Sequence, residues 1–232
     1  PHKRHSQVMF PMDTPGIEIE RNISYMNHLA PEGTCEVVFR GVRVPVENLL
    51  GEEGAGFALA QARLGPGRIH HCMRSLGQCE VALDLMCQRA LERQAFGKYL
   101  HEYGNIGDWI AEARIEIEQA RLLVLKTAWM IDQVGNREAR REISMITALV
   151  PPLQTKIVNR AIQVLGAMGL SPDTPLPYLW SWGRALQILD GPDEVHLRAV
   201  ARYEIKRAGE DRGNNVISEG YRQSRYVPSK GN

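Results

Sequence analysis

The chain has 232 residues, 44% hydrophobic and 24% charged, with 28 Lys and Arg against 27 Asp and Glu. That composition excludes a disordered, collagen-like or disulfide-scaffold chain and leaves room for a sizeable core. A net charge of +1 gives no support to bulk capture of nucleic acid or an anionic membrane, and no stretch approaches the roughly 20 apolar residues of a membrane span.

The opening run Pro1-His2-Lys3-Arg4-His5 has no apolar segment behind it, so it is not a secretory signal. It also lacks an initiator Met, and the chain is expected to begin partway through a longer polypeptide. The first fifty residues read as strands. Gln7–Met12 is followed by the turn Asp13-Thr14-Pro15-Gly16 and the alternating Ile17-Glu18-Ile19-Glu20. Cys35–Arg40 alternates with Cys35, Val37 and Phe39 on one face; Gly41 breaks it, and Val42-Arg43-Val44 closes at Pro45. These are too few strands for a stable sheet, so the rest is expected from upstream residues or another chain.

From Gly54 the apolar period becomes helical. One helix is predicted over about 55–91, bent near Gly65-Pro66-Gly67. A second is predicted over about 104–134, where Ile106, Trp109, Ile110, Ala113, Ile117, Ala120 and Val124 repeat at three and four. Gly135 and Asn136 end it. A third runs over about 137–168, bent at Pro151-Pro152 and stopped by Gly169. A fourth, over about 177–189, is cut by Asp190-Gly191-Pro192 and resumes over 193–208. Long helices with short joins imply an antiparallel four-helix bundle. The predicted class is therefore α+β and mainly α: residues 1–52 end a small β-domain, 53–208 form the bundle, and 209–232 are a polar tail.

Several chemical devices are missing: no GxGxxG after a strand, no P-loop, no GxSxG and no HExxH. The four cysteines form no CxxC pair, which speaks against zinc. Cys72, Cys79 and Cys87 fall on one helix face as small buried hydrophobes, which fits a reducing compartment. His70-His71 carries no metal reading, because adjacent helical positions diverge and no third ligand is spaced nearby. Trp180 and Trp182 read as core or interface. Arg137, Arg140 and Arg141 read as a solvated helix start.

Two spots remain. In Leu189-Asp190-Gly191-Pro192-Asp193-Glu194, Pro192 suits the first helical position with Gly191 as its cap. Asp190 then stands at a helix mouth, where free N–H groups can stabilise an oxyanion while the carboxylate takes a proton. Asp190 and Asp193 serve equally well as partners of the helix dipole, and local chemistry leaves both readings open. In Arg93-Gln94-Ala95-Phe96-Gly97-Lys98, a guanidinium, a ring and a Gly can clamp a diphosphate and a flat ligand. A plain helix C-terminus explains the same residues.

Taken in order, these pieces resemble the second half of an acyl-CoA dehydrogenase. The resemblance covers nearly everything from Gln7 to about Ala208. It rests on Cys35–Gly51 (CEVVFRGVRVPVENLLG), Gly54-Ala55-Gly56-Phe57, Arg93–Lys98 (RQAFGK), Gln163–Gly169 (QVLGAMG) and Asp190–His196 (DGPDEVH). Gly65–Arg74 and DGPDEVH look most like the branch that includes the family's members ten and eleven.

The resemblance implies a flavoenzyme in which a carboxylate base removes the α-proton of an acyl-CoA while the β-hydrogen leaves to FAD. The base of the family is usually a Glu whose position matches Asp190, one methylene shorter. The thioester oxygen would be held by the Asp190 N–H and a flavin hydroxyl, with Gly191 beside it in the substrate site. Arg68 matches a family Arg that positions the catalytic loop. Arg93 and Phe96 would contact the FAD of a neighbouring subunit; Gln163, with the backbone through Gly166, would hold its adenine end. The family's flavin-contacting Thr and Gln become Pro192 and Glu194, and the second Gly after Gln163 becomes Ala167.

Further implications are a homodimer or homotetramer, an electron-transferring flavoprotein as acceptor, and the missing half supplied upstream or by a partner subunit. No metal, nucleic acid or membrane span is expected. The compartment would be the cytoplasm of a bacterium, or the mitochondrial matrix or a peroxisome of a eukaryote. An acyl-CoA oxidase on the same scaffold, or a non-catalytic subunit of a heteromeric dehydrogenase, are the alternatives.

Overall fold

A computed structural model describes residues 3–29 and 33–210; the expected polar tail lies, from residue 211 on, outside them. Strand β1 (Gln7–Val8) pairs antiparallel with β4 (Leu49–Leu50), and β2 (Ile17–Asn22) with β3 (Cys35–Phe39). In the second ribbon Ile17 faces Phe39 and Ile19 faces Val37, with a register shift before Arg21. The strand expected over Gln7–Met12 thus shrinks to two residues, and Val42–Val44 pairs with nothing among the described residues. Two-stranded ribbons have too little partner surface to extend either segment. Ile19 and Phe39 accordingly stay more than half exposed.

Helix α1 spans Gly56–Glu92, and Pro66 lies within it rather than dividing it. A small hairpin follows, β5 (Gln94–Ala95) against β6 (Lys98–Tyr99), in the stretch between the first two expected helices, where no strand was expected. Its turn residues Phe96 and Gly97 have φ of 51° and 85°, the left-handed pair of a type I′ turn.

Helix α2 runs Gly104–Glu138 and is interrupted where expected, at Gly135 with φ 80°. Helix α3 spans Arg140–Leu165 and carries Pro151 and Pro152 internally. It ends before the expected Gly169, because Gly166 already turns to φ 66°. Gly169 does a different job. A Cβ there would lie 2.8 Å from the Ile162 backbone, so the 3₁₀ turn Gly166–Leu170 packs directly onto α3. Helices α4 (Leu176–Leu186) and α5 (Asp193–Glu210) complete the described residues. Among the described residues no helix is long and apolar enough to cross a membrane.

Side-chain pairs fix how the helices run. Glu116 meets Lys156 and Glu112 meets Arg160, each at 2.5 Å, so α3 ascends as α2 descends. Cys72 Sγ donates to the Ile146 carbonyl, and Gln154 Nε2 donates to Gln78 Oε1 at 2.5 Å, so α1 and α3 run parallel. The core is one cluster drawn from α1, α2, α3 and α4, with Met86, Ile117, Ile146, Ile157 and Leu176 fully buried. Each such side chain contributes roughly 1.5–3 kcal/mol. Cys72 and Cys79 lie inside it, where burial pushes both thiols up to about 12.

Buried Gln154 is the polar tie. Its Nε2 also donates to the Leu179 carbonyl of α4 at 2.8 Å, so one amide joins three helices. Gln154→Met, which keeps the volume and removes the donor, is expected to cost about 1–3 kcal/mol in chemical denaturation. A neutral result would show that the amide's bonds offset no more than its own desolvation.

Candidate active site

The first third of α1 is cut to receive other elements. At Gly65 the Asn136 amide occupies the place of a Cβ, its Oδ1 lying 1.7 Å from that point, so the α2–α3 corner docks into α1. One and two turns further, Arg68 and His71 project from adjoining positions toward the α4–α5 loop. Arg68 donates from Nε at 3.2 Å and from Nη2 at 2.8 Å, both to the carbonyl oxygen of Asp190. His71 Nε2 lies 3.0 Å from Asp190 Oδ2, off the ideal line of a hydrogen bond. That carboxylate oxygen is shielded from water and has no aligned donor among the described residues.

Asp190 occupies the left-handed region at φ 57°, and Gly191 follows at φ 114°. Asp tolerates the first angle, whereas the second suits only glycine. A Cβ on Gly191 would also lie 3.0 Å from Nε2 of the buried His196. The loop therefore turns sharply back on itself to bring the Asp190 carboxylate to α1. Helix α5 begins at Asp193, with the Pro192 carbonyl accepting the Val195 and His196 N–H groups. Pro192 is thus the cap rather than the first helical residue, one position from expectation. It and Glu194 are exposed.

Burial sets the charge states. Desolvation holds the His71 and His196 imidazoles below their ordinary value; Arg74 adds to the first and Arg68 to the second. Desolvation raises the Asp193 carboxyl, helped by Glu194. Beside Arg68 opens a cleft of about 550 Å³, apolar at Phe57 and Ile143 and basic at Arg137 and Arg140. Those two arginines, expected as a solvated helix start, line it. Arg141 instead pairs at 2.7 Å with the buried Glu142.

The other expected residues collect at the far end of α1, about 33 Å from His71 at 1.5 Å per residue. There Arg93 and Gly166 line a cleft of about 390 Å³ with Arg89, Ala95 and Met168. Gln163 is exposed and outside that lining, and Phe96 stands fully exposed on its left-handed turn. So the structure joins Asp190, Gly191 and Arg68 in one cluster, and Arg93 and Gly166 in another. His71 and Arg74 were missed as neighbours of Asp190. Their signal was the spacing Arg68, His71, Arg74, which keeps all three on one helix face.

Comparison with known proteins finds likeness over most of the chain. Residues 54–204 match the family described as acyl-CoA dehydrogenase, C-terminal domain. FadE2 of Mycobacterium tuberculosis, named among the acyl-CoA dehydrogenases, is 55% identical over 89% of this chain and 51% of its own length. Acyl-CoA dehydrogenase family member 11 of Gallus gallus is 50% identical over 88% of this chain and 26% of its own. The structure of butyryl-CoA dehydrogenase from Megasphaera elsdenii is 28% identical, covers 86% of this chain and 51% of its own, and superposes with a TM-score of 0.76. The chain spans about half the length of FadE2 and about a quarter of family member 11.

Two outcomes are expected. Gly191→Ala forces a side chain into the positive-φ region and onto His196, costing about 1–3 kcal/mol; an unchanged melting temperature would contradict this loop geometry. The second concerns pH. Unfolded histidines take up protons near 6.5 while His71 and His196 resist them, so stability is complete above that value and is lost as pH falls below it. The melting temperature should drop between pH 7.5 and 5.5, and His196→Asn should flatten that drop relative to its own value at pH 7.5.

Proposed function

We propose that this chain, which belongs to the acyl-CoA dehydrogenase family, supplies the proton-abstracting half of an FAD-dependent acyl-CoA dehydrogenase. The observation that carries the reading is Asp190, turned to φ 57° and held against α1 by Arg68 with a water-shielded carboxylate oxygen. A general base must combine reach with a fixed position, and this loop supplies both. Asp190 takes the α-proton of the acyl-CoA thioester. The β-hydrogen leaves with its electron pair, and a trans-2-enoyl-CoA results. FAD, when bound, supplies the acceptor for that pair.

The chain's own residues divide the remaining work. Arg68 fixes the loop through the Asp190 carbonyl, and no acceptor among the described residues engages the Asp190 N–H. That N–H is the donor proposed for the thioester oxygen, where it acidifies the α-carbon. Gly191 gives the thioester room. The Asp190 loop at Pro192 and Glu194 faces the cofactor in this reading, through exposed positions that lack the usual Thr and Gln.

The fit to FAD is best at the far end of α1. An aromatic that is fully exposed on a left-handed turn, beside an Arg-lined cleft, suits a flat ligand with phosphates. Arg93, Phe96, Gln163 and Gly166 are proposed to hold it. Because this cluster lies at the other end of α1, about 33 Å along the helix from His71, it serves the flavin of a second copy, which makes a homodimer or homotetramer the proposed assembly. An exposed apolar stripe on α2, formed by Ile115, Leu122, Leu125 and Trp129, gives a second copy a surface to cover. Electrons then pass to an electron-transferring flavoprotein, the partner we propose.

Asp190→Asn should lower flavin reduction by an acyl-CoA panel at least 1,000-fold while the FAD absorption band stays. Bleaching at the unmodified rate would remove Asp190 from the reaction. Peroxide formed at the rate of turnover would instead mark an acyl-CoA oxidase, and absence of flavin a non-catalytic subunit.

A further inference from the structure

We propose that His71 is a positioning residue for Asp190, a neutral imidazole that donates one hydrogen bond to the base and cannot itself take the substrate proton. The inference rests on Asp190 being the base. It begins from two distances: Arg74 Nη2 to His71 Nδ1 is 2.8 Å, and His71 Nε2 to Asp190 Oδ2 is 3.0 Å. A guanidinium can only donate, so the bond from Arg74 obliges Nδ1 to be the acceptor. The neutral ring must then carry its proton on Nε2, the nitrogen that faces the carboxylate.

The direction of the chain follows. Arg74 donates to His71, which leaves the His71 Nε2–H 3.0 Å from Asp190 Oδ2 as the donor proposed for that oxygen. In a triad of the usual hydrolytic kind the order is reversed, with the carboxylate orienting an imidazole whose other nitrogen is free to act as base. Here that other nitrogen is occupied by a permanent cation, so protonating it would set two donors face to face. The imidazole is consequently held neutral, and the carboxylate is left as the proton acceptor, with Oδ1 free for the acyl α-carbon.

Several contacts keep the relay in place. The Arg74 guanidinium lies over the Trp182 ring at 5.5 Å, which anchors it from α4. Arg68 restrains the backbone of Asp190, so its carboxylate cannot swing away from His71. Gly67 lies beneath the pair, with the place of its Cβ at an ordinary contact distance of 4.0 Å from Oδ2. Arg68, His70 and Arg74 on α1, Arg184 on α4, and Asp193, Glu194 and His196 at the start of α5 are the charged and titratable groups around the pair. Only His71 presents a ring N–H to the carboxylate; Arg68 is engaged by the backbone oxygen, and His196 packs against Gly191.

A hydrogen bond to the charged form of a carboxylate favours that form. Losing it shifts the acid limb of proton abstraction to higher pH while leaving the plateau nearly intact. The experiment is exchange of the substrate α-hydrogen with solvent deuterium, followed from pH 5 to 9 in the holoprotein with FAD bound. His71→Phe should move the acid limb up by about one pH unit or more. His71→Gln, whose amide nitrogen overlays Nε2, should return it to within about 0.3 unit. A limb that stays put in His71→Phe overturns the proposal, as does a uniform fall at all pH values that Gln does not rescue. Asp190→Asn separates the two readings: exchange that survives in it sinks the base assignment itself. Independently of turnover, ¹⁵N resonances of His71 should show a proton on Nε2 and none on Nδ1, and the opposite tautomer would overturn the relay.

Discussion

Everything in this chain hangs on the burial of α3. Its residues Ile146, Val150, Ile157, Val158 and Ala161 have no exposed surface, because α1, α2, α4 and α5 close around it. On the buried face of this helix Thr147 and Gln154 donate hydrogen bonds to Ile143, Gln78 and Leu179. The parallel register of α1 and α3 follows from those contacts, and so does the seat of α4. Once α1 and α4 are both placed on α3, the loop leaving α4 has a short span before α5 must begin at Asp193. Asp190 therefore reaches α1 because the bundle leaves its loop no other course.

That course has a local cost. Asp190 and Gly191 both lie at positive φ, and a non-glycine residue there is strained by about 1–3 kcal/mol. Strain persists only where surroundings over-determine it. The two bonds from Arg68 to one carbonyl oxygen, the Asp193 N–H bond back to Gln187, and the ring of His196 against Gly191 together do that. The rigid partner is the helix, and the strained loop is fitted to it, which is the division of labour expected where a reactive group must be held still.

The long helices were legible from apolar spacing alone, since a repeat at three and four over thirty residues has few other readings. Gly135 was legible as a break for the same reason. What escaped the sequence was the meaning of single residues. Gly166 rather than Gly169 ends α3, because a positive φ and a lack of room for Cβ leave the same letter in the chain. The prolines at 66, 151 and 152, by contrast, sit inside single helices as the spacing predicts. The β-segments were readable only in part, because strand extent depends on partners that lie outside the chain's own pattern. In the cluster around Asp190, family likeness points to Arg68 and not to His71. Adjacency of His70 and His71 speaks only against a metal. The relation that mattered was to Arg68 three positions back and Arg74 three positions on.

In the proposed reading Asp190 stands where the family usually has a Glu, and a base shorter by one methylene must be brought nearer to its target. Three features around Asp190 act in that direction. Arg68 draws the loop backbone itself onto α1 rather than gripping the carboxylate, so the whole peptide moves inward. Gly67 keeps α1 bare where the carboxylate comes down, 4.0 Å from the place of its Cβ. Gly191, at φ 114°, lets the chain turn away immediately afterward. In that reading the short side chain of Asp190 and the bare stretch of α1 beneath it belong together, because the loop can bring the carboxylate close only where the helix leaves it room.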